Sequence, residues 1–151
     1  MEEIENMNRE ILFRGKHIHA MDSNEHLNGT WVLGYLSDKN YIYDKSLEGE
    51  FLVDENTICQ YTGLTDKNGK KIFEGDVVKD SAGVCGEVKF GLYAAGFSIP
   101  DTNQGFYIEF PEESLYRKEL GYWENKVVVI GNIYDSPKLL DDKENKHGED
   151  I

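Results

Sequence analysis

A chain of 151 residues with 39% hydrophobic content, including nine Tyr, seven Phe and two Trp, can build one domain or two small ones sharing a core. Its formal net charge of -13 opposes contact with DNA or RNA phosphates, whose binding relies on Lys and Arg displacing counterions, and directs attention to protein partners. No apolar run reaches the ~20 residues of a membrane helix, the start MEEIENMNRE lacks a signal-peptide core, and Cys59 and Cys85 have no metal-ligand spacing, so a cytoplasmic protein with two reduced thiols is expected.

Met1–Asn8 is polar and reads as a flexible N-terminus. Arg9–His19 (REILFRGKHIH) alternates in part between apolar and polar residues, the period of a strand, with a bulge or bend expected at Gly15. Ala20–Gly29 is rich in turn formers and ends in Asn28-Gly29, a favourable hairpin tip. Thr30–Leu36 (TWVLGYL) reads as a second strand, Ser37–Asn40 as a turn and Tyr41–Tyr43 as a third strand, together an antiparallel meander. Ser46–Val53 holds either a short helix or an irregular strand that buries Phe51, Leu52 and Val53. Thr57–Tyr61 returns to strand character.

Two turns follow closely. Asp66–Lys70 has Asn68-Gly69 at its tip, and Glu74-Gly75-Asp76 forces a second reversal before Val77-Val78 opens a strand. Ala82-Gly83 predicts a further turn and Val84–Phe90 a strand. Gly91–Gly96 reads as a loop, Phe97–Ile99 as a short strand, Pro100–Gly105 as a loop and Phe106–Phe110 as a strand. Pro111–Leu120 (PEESLYRKEL) carries the marks of a helix: Pro in the first turn, Glu112 and Glu113 at the positive end of the dipole, Lys118 toward the other end, and Gly121 as a stop. Lys126–Tyr134 (KVVVIGNIY) predicts a strand buried on both faces with Gly131 as a bulge. The end of the chain has almost no apolar content.

The sum is a mainly β protein in which an N-terminal antiparallel meander (residues 9–59) packs on a small C-terminal SH3-like β-barrel (60–140). It has one short helix, a flexible start (1–8) and a disordered acidic tail (141–151).

Several constellations invite a chemical reading. His17, His19 and His26 could gather on a divalent metal, since His17 and His19 share one face of a strand, but no carboxylate or Cys completes a ligand set. Neither Cys59 nor Cys85 has the flanks of a nucleophile, and small core residues are the plainer explanation. Asp66, Glu74 and Asp76 could do acid–base work, yet Asp beside Asn or Gly is ordinary turn chemistry. Trp31, Tyr35, Tyr41, Tyr43, Tyr61 and Phe73 could form a platform that stacks bases. The acidity of the chain favours instead a place in the core or a subunit interface. Lys67, Lys70 and Lys71 lie among acids at a turn and make no basic patch.

The run QYTGLTDKNGKKIFEGDVVK (Gln60–Lys79), preceded by REILFRGKHI and WVLGYL and followed by VVVIGNIYDSPKLL, closely resembles the YopX-like family of bacteriophage and prophage proteins. The resemblance covers roughly Arg9 to Leu140. Gly63, Asn68, Gly69, Gly75 and Asp76 match the family pattern. The connection Ala20–Gly29 is longer than the family's usual one, and the acidic tail lies outside the match. The resemblance implies a small cytoplasmic protein of mainly β structure in a bacterial host, assembling as a homo-oligomer, and it transfers no catalytic, cofactor-binding or metal-binding residue. The expectation is therefore a non-enzymatic accessory protein that acts through contacts with itself and with a host or phage protein, not with a membrane. A nucleic-acid-associated small barrel, or an acidic nucleic-acid mimic, is the alternative.

Overall fold

The computed structural model describes residues 10–18, 29–94, 102–111 and 116–140. These form ten strands: β1 (Phe13–Lys16), β2 (Trp31–Asp38), β3 (Tyr41–Asp44), β4 (Gly49–Leu52), β5 (Cys59–Thr65), β6 (Lys71–Phe73), β7 (Asp76–Lys79), β8 (Cys85–Ala94), β9 (Thr102–Glu109) and β10 (Val128–Asn132). A 3-10 turn at Glu55–Thr57 and one helix, α1 (Leu120–Trp123), complete them. β1 pairs antiparallel with β2 and β5, β3 with β2 and β4, β7 with β8 and β10, and β8 with β9. The protein is mainly β, with one strand order β4-β3-β2-β1-β5-β6 and a second β10-β7-β8-β9. The chain divides into two compact units between Gly63 and Leu64.

In the first unit the inner face of the sheet buries Val32, Ile42, Phe51 and Val53, with Phe13 and Ile58 packed against them. Alternation along the strands produces this: Val32 and Ile42 are fully buried while Leu33, Tyr41 and Tyr43 point outward. Gly15 is not a bulge. It pairs with Val32 in an unbroken register, and a side chain there would meet Val53 Cβ at 2.9 Å, so packing rather than a bend requires glycine. Gly34 is needed for the same reason, because a Cβ would run into the Tyr43 carbonyl oxygen. Ser46–Val53 resolves into a turn followed by β4, with no helix. Thr57, expected in a strand, closes the 3-10 turn, where its Oγ1 accepts the Lys16 N–H at 2.9 Å.

β5 runs through the division and turns at Asp66–Lys70 into β6, its hairpin partner. The core of the second unit gathers Ile72, Val78, Val88, Ile108, Phe110, Leu120, Val127 and Val129. β10 carries the expected irregularity: its register against β7 shifts between Val129 and Gly131. It is not buried on both faces, since Val127 and Val129 are buried while Val128 and Ile130 are half-exposed.

Two expectations fail here. The stretches Gly91–Gly96 and Pro100–Gly105 were expected as loops, but Gly91–Ala94 and Thr102–Gly105 continue the β8–β9 ladder. Gly91 sits opposite Gly105, and the Tyr107 ring lies 4.0 Å from where a Gly91 side chain would begin. An aromatic ring over a glycine restores the packing that glycine lacks in a strand. Phe97–Ile99 lies outside the described residues.

Of the helix expected at Pro111–Leu120, residues 112–115 lie outside the described residues; 116–119 are not helical, and the described helix is the single turn Leu120–Trp123, which contains Gly121 rather than stopping at it. The preceding segment runs beside β9: Ile108 N–H donates to the Lys118 carbonyl at 2.8 Å and Glu119 bridges Tyr107. Satisfying the β9 edge outweighs local helix preference. Leu120 then anchors the helical turn in the core, and the Trp123 indole N–H donates to the Arg117 carbonyl at 2.7 Å.

Candidate functional site

Asp66 and Asp76, two of the three carboxylates that suggested chemistry, are spent on the backbone. Asp66 is 1% exposed. Its Oδ1 accepts the N–H groups of Asn68 and Lys70, both at 2.8 Å, and its Oδ2 accepts the Val129 N–H at 2.9 Å. One side chain therefore shapes the KNGK turn and ties it to β10. Burial pushes its pKa up, but the three N–H donors and the Lys70 charge outweigh that and hold it below the usual carboxylate value. Asp76 is equally buried and accepts the Phe73 N–H at 2.8 Å, closing the Glu74-Gly75 turn as the sequence suggested. Glu74 acts electrostatically on Glu87, whose pKa is raised by burial first and by the neighbouring Glu109 and Glu74 charges next.

Asp44, which sequence reasoning passed over, does the same work in the first unit. Its Oδ2 accepts the Leu33 N–H at 3.0 Å, while Oδ1 accepts the Ser46 N–H and hydroxyl at 3.0 and 2.6 Å. Burial acts against the charged form, and these donors more than compensate, so its pKa is also lowered. Such a carboxylate has its lone pairs occupied and cannot serve as a base without breaking its own turn.

The histidines and cysteines show no assembled chemistry among the described residues. His17 is 2% exposed, its ring in edge contact with Phe51 at 5.4 Å, and its backbone N–H donates to the Thr30 carbonyl at 2.9 Å. His19, His26 and the hairpin tip residue Asn28 lie outside the described residues, as do 1–8 and 141–151. Cys59 is buried and Cys85 partly so, and no disulfide joins them. No group of three His, Cys, Asp or Glu suited to a metal occurs among the described residues. No helix there is long and apolar enough to cross a membrane.

The aromatic set divides. Tyr61 and Phe73 are buried. Tyr35, Tyr41 and Tyr43 are exposed, and Trp31 is half-buried. Tyr35 lies directly opposite Tyr43, Leu33 opposite Arg14, and Trp31 opposite Lys16. Residues directly opposite each other project to one face. The outer face of β1–β2–β3 thus carries Trp31, Leu33, Tyr35, Tyr43 and Tyr41 in adjoining positions. Arg14 and Lys16 flank it, their charged ends 4.6 and 5.3 Å from the Trp31 ring centre. Both distances suit cation–π contact. The period-two spacing of Arg14 and Lys16, in step with Trp31, Leu33 and Tyr35, was the signal in the sequence that placed two cations here.

A family model described as YopX protein matches residues 12–141. The chain belongs to the YopX family. That match takes in the aromatic face, the two Asp-anchored turns and the β8–β9 hairpin. No curated protein matches the chain. Within a YopX-family chain, then, the described surface offers an apolar, cation-edged sheet face, and Asp66 and Asp76 of the motif serve the backbone.

Proposed function

We propose that this YopX-family protein is a non-enzymatic accessory protein of a phage or prophage, acting in the host cytoplasm through protein–protein contacts and assembling as a homo-oligomer. The observation that supports it is the outer face of Leu33, Tyr35, Tyr41 and Tyr43, with Tyr35 57% exposed. Covering an aromatic or aliphatic side chain contributes roughly 1.5–3 kcal/mol, so adjoining exposed side chains of this kind favour a protein cover. The commitment of Asp44, Asp66 and Asp76 to backbone donors weighs against hydrolytic or acid–base chemistry at the motif. For the second unit we propose closure of its strands as a small SH3-like barrel.

Light scattering of the full chain tests the oligomer: a mass well above 17.3 kDa is expected, and a clean 17.3 kDa species at high concentration contradicts it. Affinity capture from infected host cells is expected to retain a discrete host or phage protein.

A second reading, association with single-stranded nucleic acid, draws on Arg14 and Lys16 beside Trp31 and the exposed tyrosines, since base stacking on aromatics needs little sequence preference. The net charge of -13 opposes it. Titration with labelled single-stranded DNA at low salt separates the two: binding that Trp31→Ala abolishes supports the second reading, and no binding removes it.

A further inference from the structure

β8 and β9 are longer than the sheet that holds them. β7 pairs with β8 only over Cys85–Glu87, and the last bond on that side is Gly75 N–H to the Val88 carbonyl at 2.8 Å. On the other side, among the described residues, the segment at Lys118–Glu119 covers β9 only at Tyr107 and Ile108. Beyond these points, Phe90–Ala94 and Thr102–Phe106 pair only with each other among the described residues, as a two-stranded arm. A lone two-stranded ribbon is marginal in water. This one presents Phe90, 52% exposed, and Leu92, 70% exposed, on one face, with the Phe90 and Phe106 rings edge to face at 5.0 Å. The other face stacks Tyr93 on Tyr107 at 5.2 Å.

We infer that this arm is the self-association element of the protein and that its occupant is a second copy of the same chain. The inference rests on the homo-oligomer reading above and names its surface. Charge selects the occupant. Two copies each carrying -13 repel over most of their surfaces, and an uncharged surface lets them approach without that cost. Phe90–Ala94 and Thr102–Tyr107 contain no charged residue at all, and the last charges along the ladder, Lys89 and Glu109, neutralise each other at 2.9 Å. The arm also lacks the Lys or Pro that commonly guards an open strand edge. An antiparallel edge is self-complementary about a two-fold axis, because each strand offers the other the same spacing of N–H and C=O groups. A second arm packing on Phe90 and Leu92 satisfies apolar surface and open edge together.

Sedimentation of the full chain as wild type, Leu92→Glu, Gln104→Glu and Leu47→Glu tests this. Gln104 lies opposite Leu92 on the ladder, and Leu47 is an exposed leucine on a turn of the first unit. The expected result is an oligomeric wild type and Leu47→Glu variant, with both arm variants reduced to 17.3 kDa and melting unchanged below the subunit level. Two arm variants guard against one failing to fold. An oligomeric wild type whose mass neither arm variant changes overturns the arm and leaves the homo-oligomer reading standing. Dissociation by Leu47→Glu as well overturns the arm's specificity. A monomeric wild type overturns both readings.

Discussion

At the scale of single residues, the acidic motif is a set of backbone anchors. Asp66 holds three N–H groups from two parts of the chain, and Asp44 does the same for Leu33, Ser46 and Leu47. Asp66→Asn turns one acceptor oxygen into an NH2 that faces an N–H donor. A buried unmet donor costs about 1–3 kcal/mol, so the variant is expected to melt several degrees lower with its secondary structure retained, as circular dichroism would report. The pH dependence follows from the lowered pKa values. The stabilisation from Asp44 and Asp66 is full above the unfolded carboxylate value of about 4 and is lost as pH falls through the lower folded values. Wild-type melting should therefore fall below pH ~4, more steeply than that of Asp66→Asn. Gly75 belongs to the other turn, the one that Asp76 closes, and has φ of 89° while its N–H and C=O bond Val88 and Ile133. Gly75→Val places a β-branched residue there and should cost at least ~1 kcal/mol. Unchanged chemical denaturation of that variant would show that the turn does not carry this strain.

At the scale of elements, the strands with strict alternation were legible in the sequence. Tyr41–Asp44 follows the period-two pattern throughout and Trp31–Asp38 as far as Gly34, though that strand runs on into Ser37-Asp38, expected as a turn; Gly131 marks a real register shift. Where the structure departs from these patterns, tertiary pairing overrides glycine and local helix propensity. Gly91 and Gly105 face each other inside a ladder, and Lys118 gives its carbonyl to β9 instead of to a helix. The candidate site was half legible. The aromatic residues were visible, but the separation of Tyr61 and Phe73 from Tyr35, Tyr41 and Tyr43 depends on which face each strand buries, and the flanking role of Arg14 and Lys16 depends on the β1–β2 register. A sharp test of that register is Gly34→Ala. Its methyl group meets the Tyr43 carbonyl oxygen, a backbone atom that cannot give way without separating β2 from β3. The variant should lose at least ~2 kcal/mol and disturb the exposed Tyr35–Tyr43 pair, which near-ultraviolet circular dichroism would detect.

At the scale of the whole molecule, the charge and the surface pull in opposite directions. A net charge of -13 keeps copies apart, while Leu33, Tyr35, Tyr43, Phe90 and Leu92 stand exposed to water. Both are reconciled if association proceeds through the uncharged surfaces and gains strength when the charges are screened. Raising ionic strength to 1 M shortens the Debye length to about 3 Å and leaves apolar contacts intact. Sedimentation equilibrium of the full chain at 0.15 M and 1 M NaCl is the direct measurement. A mass that is a multiple of 17.3 kDa at both salts, with tighter association at 1 M, is the predicted result. A 17.3 kDa species at both salts, or an oligomer that dissolves at 1 M, would contradict it.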